Sequence, residues 1–247
     1  MTRAAFILVL AASALYAQPT PPPAFEVASI RLHQGPVRNM ADFSSSGPRI
    51  TYGCFNAFQL VVEAYNLKNF QVSPGPKLQL DYKDYYEIAA LAPGSAAVTR
   101  DEARRMLQSL LADRFKLQVH REPRELPVYE LVVDKNGPAL KAGSGDAPCH
   151  AFIGPVGRNY RYQLVNCPVE RLADNLWADR PIVDKTGLTG LYDITLLATP
   201  YPMLRDSSDP GDISTGDAVR KIGLRLDAKK EQIEFLVVDH IEKPSQN

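Results

Sequence analysis

Leu131-Val132-Val133-Asp134 recurs as Leu236-Val237-Val238-Asp239, and Tyr85-Tyr86-Glu87-Ile88 recurs, with changes, as Leu191-Tyr192-Asp193-Ile194. The offsets nearly agree: 236 − 131 = 105 and 192 − 86 = 106. Two matches at almost one spacing point to an internal repeat, and the segments between them correspond. In the first copy Thr99-Arg100-Asp101-Glu102 reads as a capping box, with Thr99 as the cap and Glu102 reaching back. A helix follows with Ala103, Met106, Leu107, Leu110 and Leu111 on one face. Two strands are predicted next, Phe115–His120 and Val128–Asp134; in the first, Phe115, Leu117 and Val119 alternate with polar residues. In the second copy Ser214-Thr215-Gly216-Asp217 starts a shorter helix, and Leu224–Asp227 and Ile233–Asp239 are its two strands.

Working outward, each copy has an upstream helix. Asn56 is placed to cap one that carries Phe58, Val61, Val62 and Tyr65. Pro168 fits the first turn of the other, with Leu172, Ala173, Leu176 and Trp177 following. Phe25–Ile30 reads as an opening strand, and residues 33–48, rich in Gly, Pro and Ser, as a loop. The expected fold class is α+β: two similar subdomains of small, mostly antiparallel sheets with packed helices, related by internal duplication. Periodicity leaves open whether the copies share one sheet. The expected boundaries are a signal peptide at 1–17, a Pro-rich leader at 18–24, a first repeat at 25–142 and a second at 143–247.

The signal peptide rests on Arg3, an apolar run from Ala4 to Leu15 and the small Ala17 before Gln18. That run is short beside the roughly 20 residues of a membrane span. No later stretch is long enough, so the mature chain is expected to carry no span and to work outside the cytoplasm, in the periplasm or secreted. Lys+Arg and Asp+Glu are both 28, for zero net charge, and that balance speaks against a nucleic-acid partner. Of Cys54, Cys149 and Cys167, the favoured disulfide is Cys149–Cys167, which closes a short loop. Zinc at Cys149, His150 and Cys167 is the competing reading; the disulfide is simpler in an oxidising compartment, and no metal or other cofactor is expected.

Several chemistries can be weighed by motif. Asp184-Lys185-Thr186-Gly187 has the look of a phosphorylated-Asp loop, and Lys-Thr-Gly also occurs in serine β-lactamases. The chain holds no Ser-x-x-Lys and no Ser-Asp-Asn, and Leu188 follows the glycine, so a structural turn is the plainer reading. The four histidines, His33, His120, His150 and His240, are scattered. Tyr82, Tyr85 and Tyr86 beside Asp81, Asp84 and Glu87 read either as a solvated strand edge or as a binding face. The candidate binding residues are therefore Tyr82, Tyr85, Tyr86, Asp184, Lys185 and Thr186.

Five stretches carry a family resemblance: FEVASI (Phe25–Ile30), LLADRFKLQVHRE (Leu110–Glu122), ELPVYELVVDKNGPAL (Glu125–Leu140), RPIVDKTGLTGLYDITL (Arg180–Leu196) and VVDHIEKPSQN (Val237–Asn247). They cover nearly the whole mature chain. On them the chain resembles a family of uncharacterised secreted proteins, a domain of unknown function expanded in acidobacteria and also carried on the extracytoplasmic side of sensor-type membrane peptidases. The resemblance implies a sensing or binding role and supplies no catalytic motif. The helix-then-hairpin units also resemble the short N-terminal interaction domains of secretins and TonB-dependent transducers. The leading expectation is a non-enzymatic extracytoplasmic binding or sensing module whose partner is an envelope protein or a small ligand. An envelope hydrolase and a structural protein that assembles through an exposed strand edge are the alternatives.

Overall fold

The computed structural model describes residues 22–35, 42–76, 78, 83–200 and 211–244. The signal peptide, most of the leader, and Tyr82 lie outside the described residues. The architecture is α+β, with three small four-stranded sheets and four helices among the described residues.

The first sheet is antiparallel throughout and contains β1 (Val27–Leu32), β2 (Asp42–Ser46), β3 (Arg49–Asn56) and β5 (Tyr85–Leu91), in the order β1-β5-β3-β2. Helices α1 (Ala57–Tyr65) and α2 (Arg100–Arg114) cover its inner face. The second sheet contains β7 (Lys141–Ala142), β8 (His150–Val156), β9 (Asn159–Cys167) and β11 (Tyr192–Ala198), in the order β7-β11-β9-β8, also antiparallel. Its core is closed by α3 (Val169–Asn175) and α4 (Thr215–Arg220). The third sheet joins the two: β6 (Gln118–Val133) and β12 (Leu224–His240) form a long antiparallel ribbon. The short β10 (Ile182–Asp184) and β4 (Val72–Pro74) flank it in parallel, in the order β10-β6-β12-β4.

Helix starts follow from side-chain chemistry. Asn56 Oδ1 accepts the Gln59 N–H while Gln59 Oε1 accepts the Asn56 N–H. Thr99 and Glu102 form the same reciprocal box, and Ser214 Oγ accepts from Asp217 N–H. Each such cap contributes about 1 kcal/mol. Pro168 sits one position earlier than expected, as the N-cap of α3. That helix ends at Asn175, so Trp177 falls beyond it, half-buried, with its ring 5.3 Å from that of Tyr160.

Three sequence expectations are corrected. The two strands expected after α2 are one continuous strand, β6, and those after α4 are likewise one, β12, so no helix-then-hairpin unit exists. Pro123 and Pro127 look like breakers, but β6 is paired only with β12 along that stretch. Its other edge is open there, and proline is tolerated where no ladder donor is needed. Within residues 33–48, expected as loop, Asp42–Ser46 pairs with β3, helped by a 2.8 Å hydroxyl contact between Ser44 and Thr51. Tyr86 is no surface residue: it is buried in the core and meets Phe115 edge-to-face at 5.3 Å.

The ribbon shares out the cores. Leu236 and Val238, late in β12, pack in the first core beside Leu60, Leu107 and Ile88. Leu131, late in β6, packs in the second beside Leu172 and Ile194. A third, small cluster of Val128, Ile233 and Phe235 lies between them. Each such buried aliphatic side chain contributes roughly 1.5–3 kcal/mol by leaving water, so each core depends on a strand supplied by the other half of the chain.

Candidate functional site

Helices α1 and α3 each end before a connection that leads into a short flanking strand of the middle sheet. Asn66 caps α1 in the left-handed conformation, at φ 51°, and its N–H returns to Glu63 O. Such a conformation suits Asn better than most residues. The chain then runs through Leu67, Lys68 and a single tight turn at Asn69–Gln71 into β4. After α3 it runs through Trp177–Pro181 into β10. Between these connections lies a cleft of about 1050 Å³, at the upper end of the range for small-molecule sites.

The walls are densely charged. Glu63, with its side chain only 12% exposed, takes a two-pronged contact from Arg100 at 2.8 and 2.7 Å and a third from Arg104 at 3.1 Å. Arg104 also reaches Asp101 at 2.8 Å. Bidentate carboxylate–guanidinium contacts fix geometry as well as charge. The bond to Glu63 holds the Arg100 guanidinium still more firmly protonated, against the opposing pull of burial. Behind this cluster, burial first and the Glu63 charge second push the Tyr52 phenol far above its usual range. Across the cleft, Lys68 Nζ contacts Asp174 Oδ1 at 2.8 Å and Glu170 Oε1 at 3.7 Å, a tie from the α1 side to α3. Arg180 lies 4.7 Å over the Tyr129 ring and 3.1 Å from Asp179.

Five basic and four acidic side chains line the cleft, and Arg171 is the cation without an ion pair among the described residues. Trp177 lies on the same lining, and its carbonyl accepts the Thr215 hydroxyl at 2.6 Å. Arg171 thus shares the lining with two aromatic residues, Trp177 and Phe70. At the rim, Cys149 is bonded to Cys167, with sulfurs 2.03 Å apart, which fastens the start of β8 to the residue before the α3 cap. Cys54 is a free, buried thiol.

The candidates singled out in the sequence are dispersed. Tyr85 is half-buried on the opposite side of β5 from Tyr86. Asp184 Oδ1 accepts from the Thr186 N–H at 2.9 Å and its hydroxyl at 2.7 Å, and Thr186 Oγ1 accepts the Leu188 N–H. Lys185 pairs with Glu231 at 2.9 Å, which raises its pKa. That arrangement, with Gly187 at φ 68°, is a self-satisfied Asx turn away from the cleft lining. Three of the four histidines pair with separate carboxylates: His33 with Glu87, His120 with Asp239 and His240 with Glu242. No group of three or more His, Cys, Asp or Glu suited to a metal occurs among the described residues, and no helix there is long and apolar enough to cross a membrane. The cleft itself escaped sequence reading because its charges are ordinary surface types spread over three helices and two connections far apart in the chain. The only local signal was the paired placement of a helix end before each short strand.

Residues 58–241 match the family described as Protein of unknown function (DUF3738). No curated protein and no solved structure matches the chain.

Proposed function

This chain belongs to the DUF3738 family, and from that premise we propose that it is an exported, non-enzymatic binding module. Its ligand is polar and anionic, between a small molecule and a short peptide in size, and is held in the cleft between α1 and α3. The observation that carries this reading is the composition of the cleft: tightly paired charges fix its walls, and one unpaired cation, Arg171, lies on the same lining as Trp177. Ion-paired charges fix the geometry of the walls; the exposed, unpaired Arg171 is left to meet a ligand. The Cys149–Cys167 bond is consistent with an oxidising, extracytoplasmic location.

The reading includes a duplicated scaffold, repeats 25–142 and 143–247. Supporting it, the orders β1-β5-β3-β2 and β7-β11-β9-β8 place β5 and β11, β3 and β9, and β2 and β8 in matching slots, while β7 comes from the last residues of the first repeat. The ribbon also pairs Leu126 with Glu231, positions that lie one repeat offset of 105 apart. A duplicated frame brings two similar helix ends face to face, which is how such a cleft would arise. The role as an extracytoplasmic sensor follows the same line and rests on the family resemblance.

The test is capture. Mature chain 18–247 is used as bait against an envelope fraction and a panel of anionic small molecules, beside the variant Arg171→Ala/Trp177→Ala. Saturable binding to the parent, weakened at least about tenfold in the variant, is expected. Equal binding by a correctly folded variant would move the site elsewhere.

A further inference from the structure

In the first sheet, β5 is flanked on its outer side by β1 over six residues, from Val27↔Leu91 to Leu32↔Tyr86. Among the described strands, the corresponding side of β11 in the second sheet carries the two-residue β7, at Tyr192↔Ala142 and Asp193↔Lys141. Beyond Asp193 no described strand continues that pairing. Leu191 O accepts the Gly143 N–H at 2.7 Å on the β7 side. Strand alternation therefore aims the N–H and C=O groups of Thr195 and Leu197 at the same, open edge. Among the described residues neither makes a hydrogen bond beyond its β9 ladder, and the open stretch ends at Thr199, whose N–H on the same side is held by Ile213 O at 2.8 Å. Native chains blunt such edges with charge, proline or a covering loop, because an unpaired edge is a template for another strand.

This edge opens into a groove of about 490 Å³. One wall is the outer face of the sheet, where Gln163 pairs with Thr195 and Arg161 with Leu197. The other is α4 and its approach, with Ile213, Ala218, Ile222 and Lys221. No carboxylate lines the groove, and neither Arg161 nor Lys221 forms an ion pair among the described residues. Three features thus coincide: open backbone donors and acceptors, an apolar wall, and two unpaired cations.

We propose that the β11 edge is a strand-addition site for an acidic, extended peptide segment of a partner protein. The incoming strand pairs with Thr195 and Leu197 as β1 pairs with β5, sets an apolar side chain against Ile213 and Ile222, and offers carboxylates to Arg161 and Lys221. Main-chain bonds supply affinity and alternate side chains supply selectivity. The free stretch, Ile194–Ala198, is about 17 Å long at roughly 3.4 Å per residue, enough for a segment of about five residues. This site is separate from the cleft and does not depend on it.

The experiment measures fluorescence anisotropy of a labelled, capped hexapeptide of alternating glutamate and valine against mature chain 18–247. Saturable binding is expected. It should weaken at least about tenfold when lysine replaces glutamate in the peptide, or in the protein variant Arg161→Glu/Lys221→Glu. Methylating alternate peptide nitrogens removes the ladder donors without touching the protein and should abolish binding. The cleft variant Arg171→Ala/Trp177→Ala should bind the hexapeptide as the parent does, so failure here and failure of the cleft reading are distinguishable. Absence of binding, equal binding of the lysine peptide, or equal binding of the methylated peptide would overturn the proposal. So would concentration-dependent dimers of the chain alone that disappear in Arg161→Glu/Lys221→Glu, since they would put a second copy in the groove.

Discussion

Removing the cross-link through its exposed end isolates what the disulfide does. Cys149 is exposed while Cys167 is fully buried in the second core, so Cys149→Ala breaks the bond and leaves no cavity. The bridge spans a separation of 18 residues. Loop-closure entropy for that span is about 11 cal/mol/K, or about 3 kcal/mol at 25 °C. The β8–β9 pairing already holds His150 opposite Val165 in the folded state, so the stabilisation acts by restricting the unfolded chain. For a chain of this length, about 3 kcal/mol corresponds to a fall in Tm of roughly 6–12 °C. The assay is urea unfolding followed by far-UV circular dichroism, with and without reductant. Cys149→Ala should be less stable than the oxidised parent by that amount and insensitive to reductant. Cys167→Ala should lose roughly 1 kcal/mol more, because it also empties a packed site. A Cys149→Ala variant within about 0.5 kcal/mol of the oxidised parent would refute the loop-closure argument.

Other outcomes follow from single contacts. The Tyr52 hydroxyl is buried with no hydrogen-bond partner among the described residues, so Tyr52→Phe should leave stability unchanged or raise it by about 1 kcal/mol; a loss in urea unfolding would reveal a partner for the hydroxyl. His120 is held protonated chiefly by its hydrogen bond to Asp239. Its folded pKa is therefore above the ordinary value of about 6.5, and its contribution is complete below that value and is lost as pH rises through the folded pKa. Proton NMR of the His120 ring should give a midpoint above 6.5 or so, and Asp239→Asn should bring it down. Residues 22–142 expressed alone lack Leu236 and Val238 and leave one whole edge of β6 unpaired. They should show no cooperative thermal transition, and a sharp one would argue against shared cores.

What could be read beforehand was what local chemistry encodes. Asn56, Thr99 and Ser214 announce helix starts because a cap needs one side chain and the backbone next to it. The continuity of β6 was hidden because Glu122-Pro123-Arg124-Glu125 looks like a break, and only the open outer edge makes proline harmless there. The burial of Tyr86 was hidden for a related reason: Tyr85 and Tyr86 alternate, and only the arrival of Phe115 decides which one turns inward. The cleft depends on Lys68 meeting Asp174 across more than a hundred residues of chain, a juxtaposition that no local pattern carries.

The ribbon also has a bearing on how the molecule comes into being. Val133 pairs with Leu224 and Gln118 with His240, so nearly all of the second half must be made before β6 can find its partner. During that interval a sixteen-residue strand waits with both edges bare and one core lacking its lid. Contacts this distant in sequence make for slow closure, and an unpaired strand is a point of vulnerability to aggregation and proteases. The charges in the first half of β6, Arg121, Glu122, Arg124 and Glu125, are of the kind that blunt strand-to-strand aggregation.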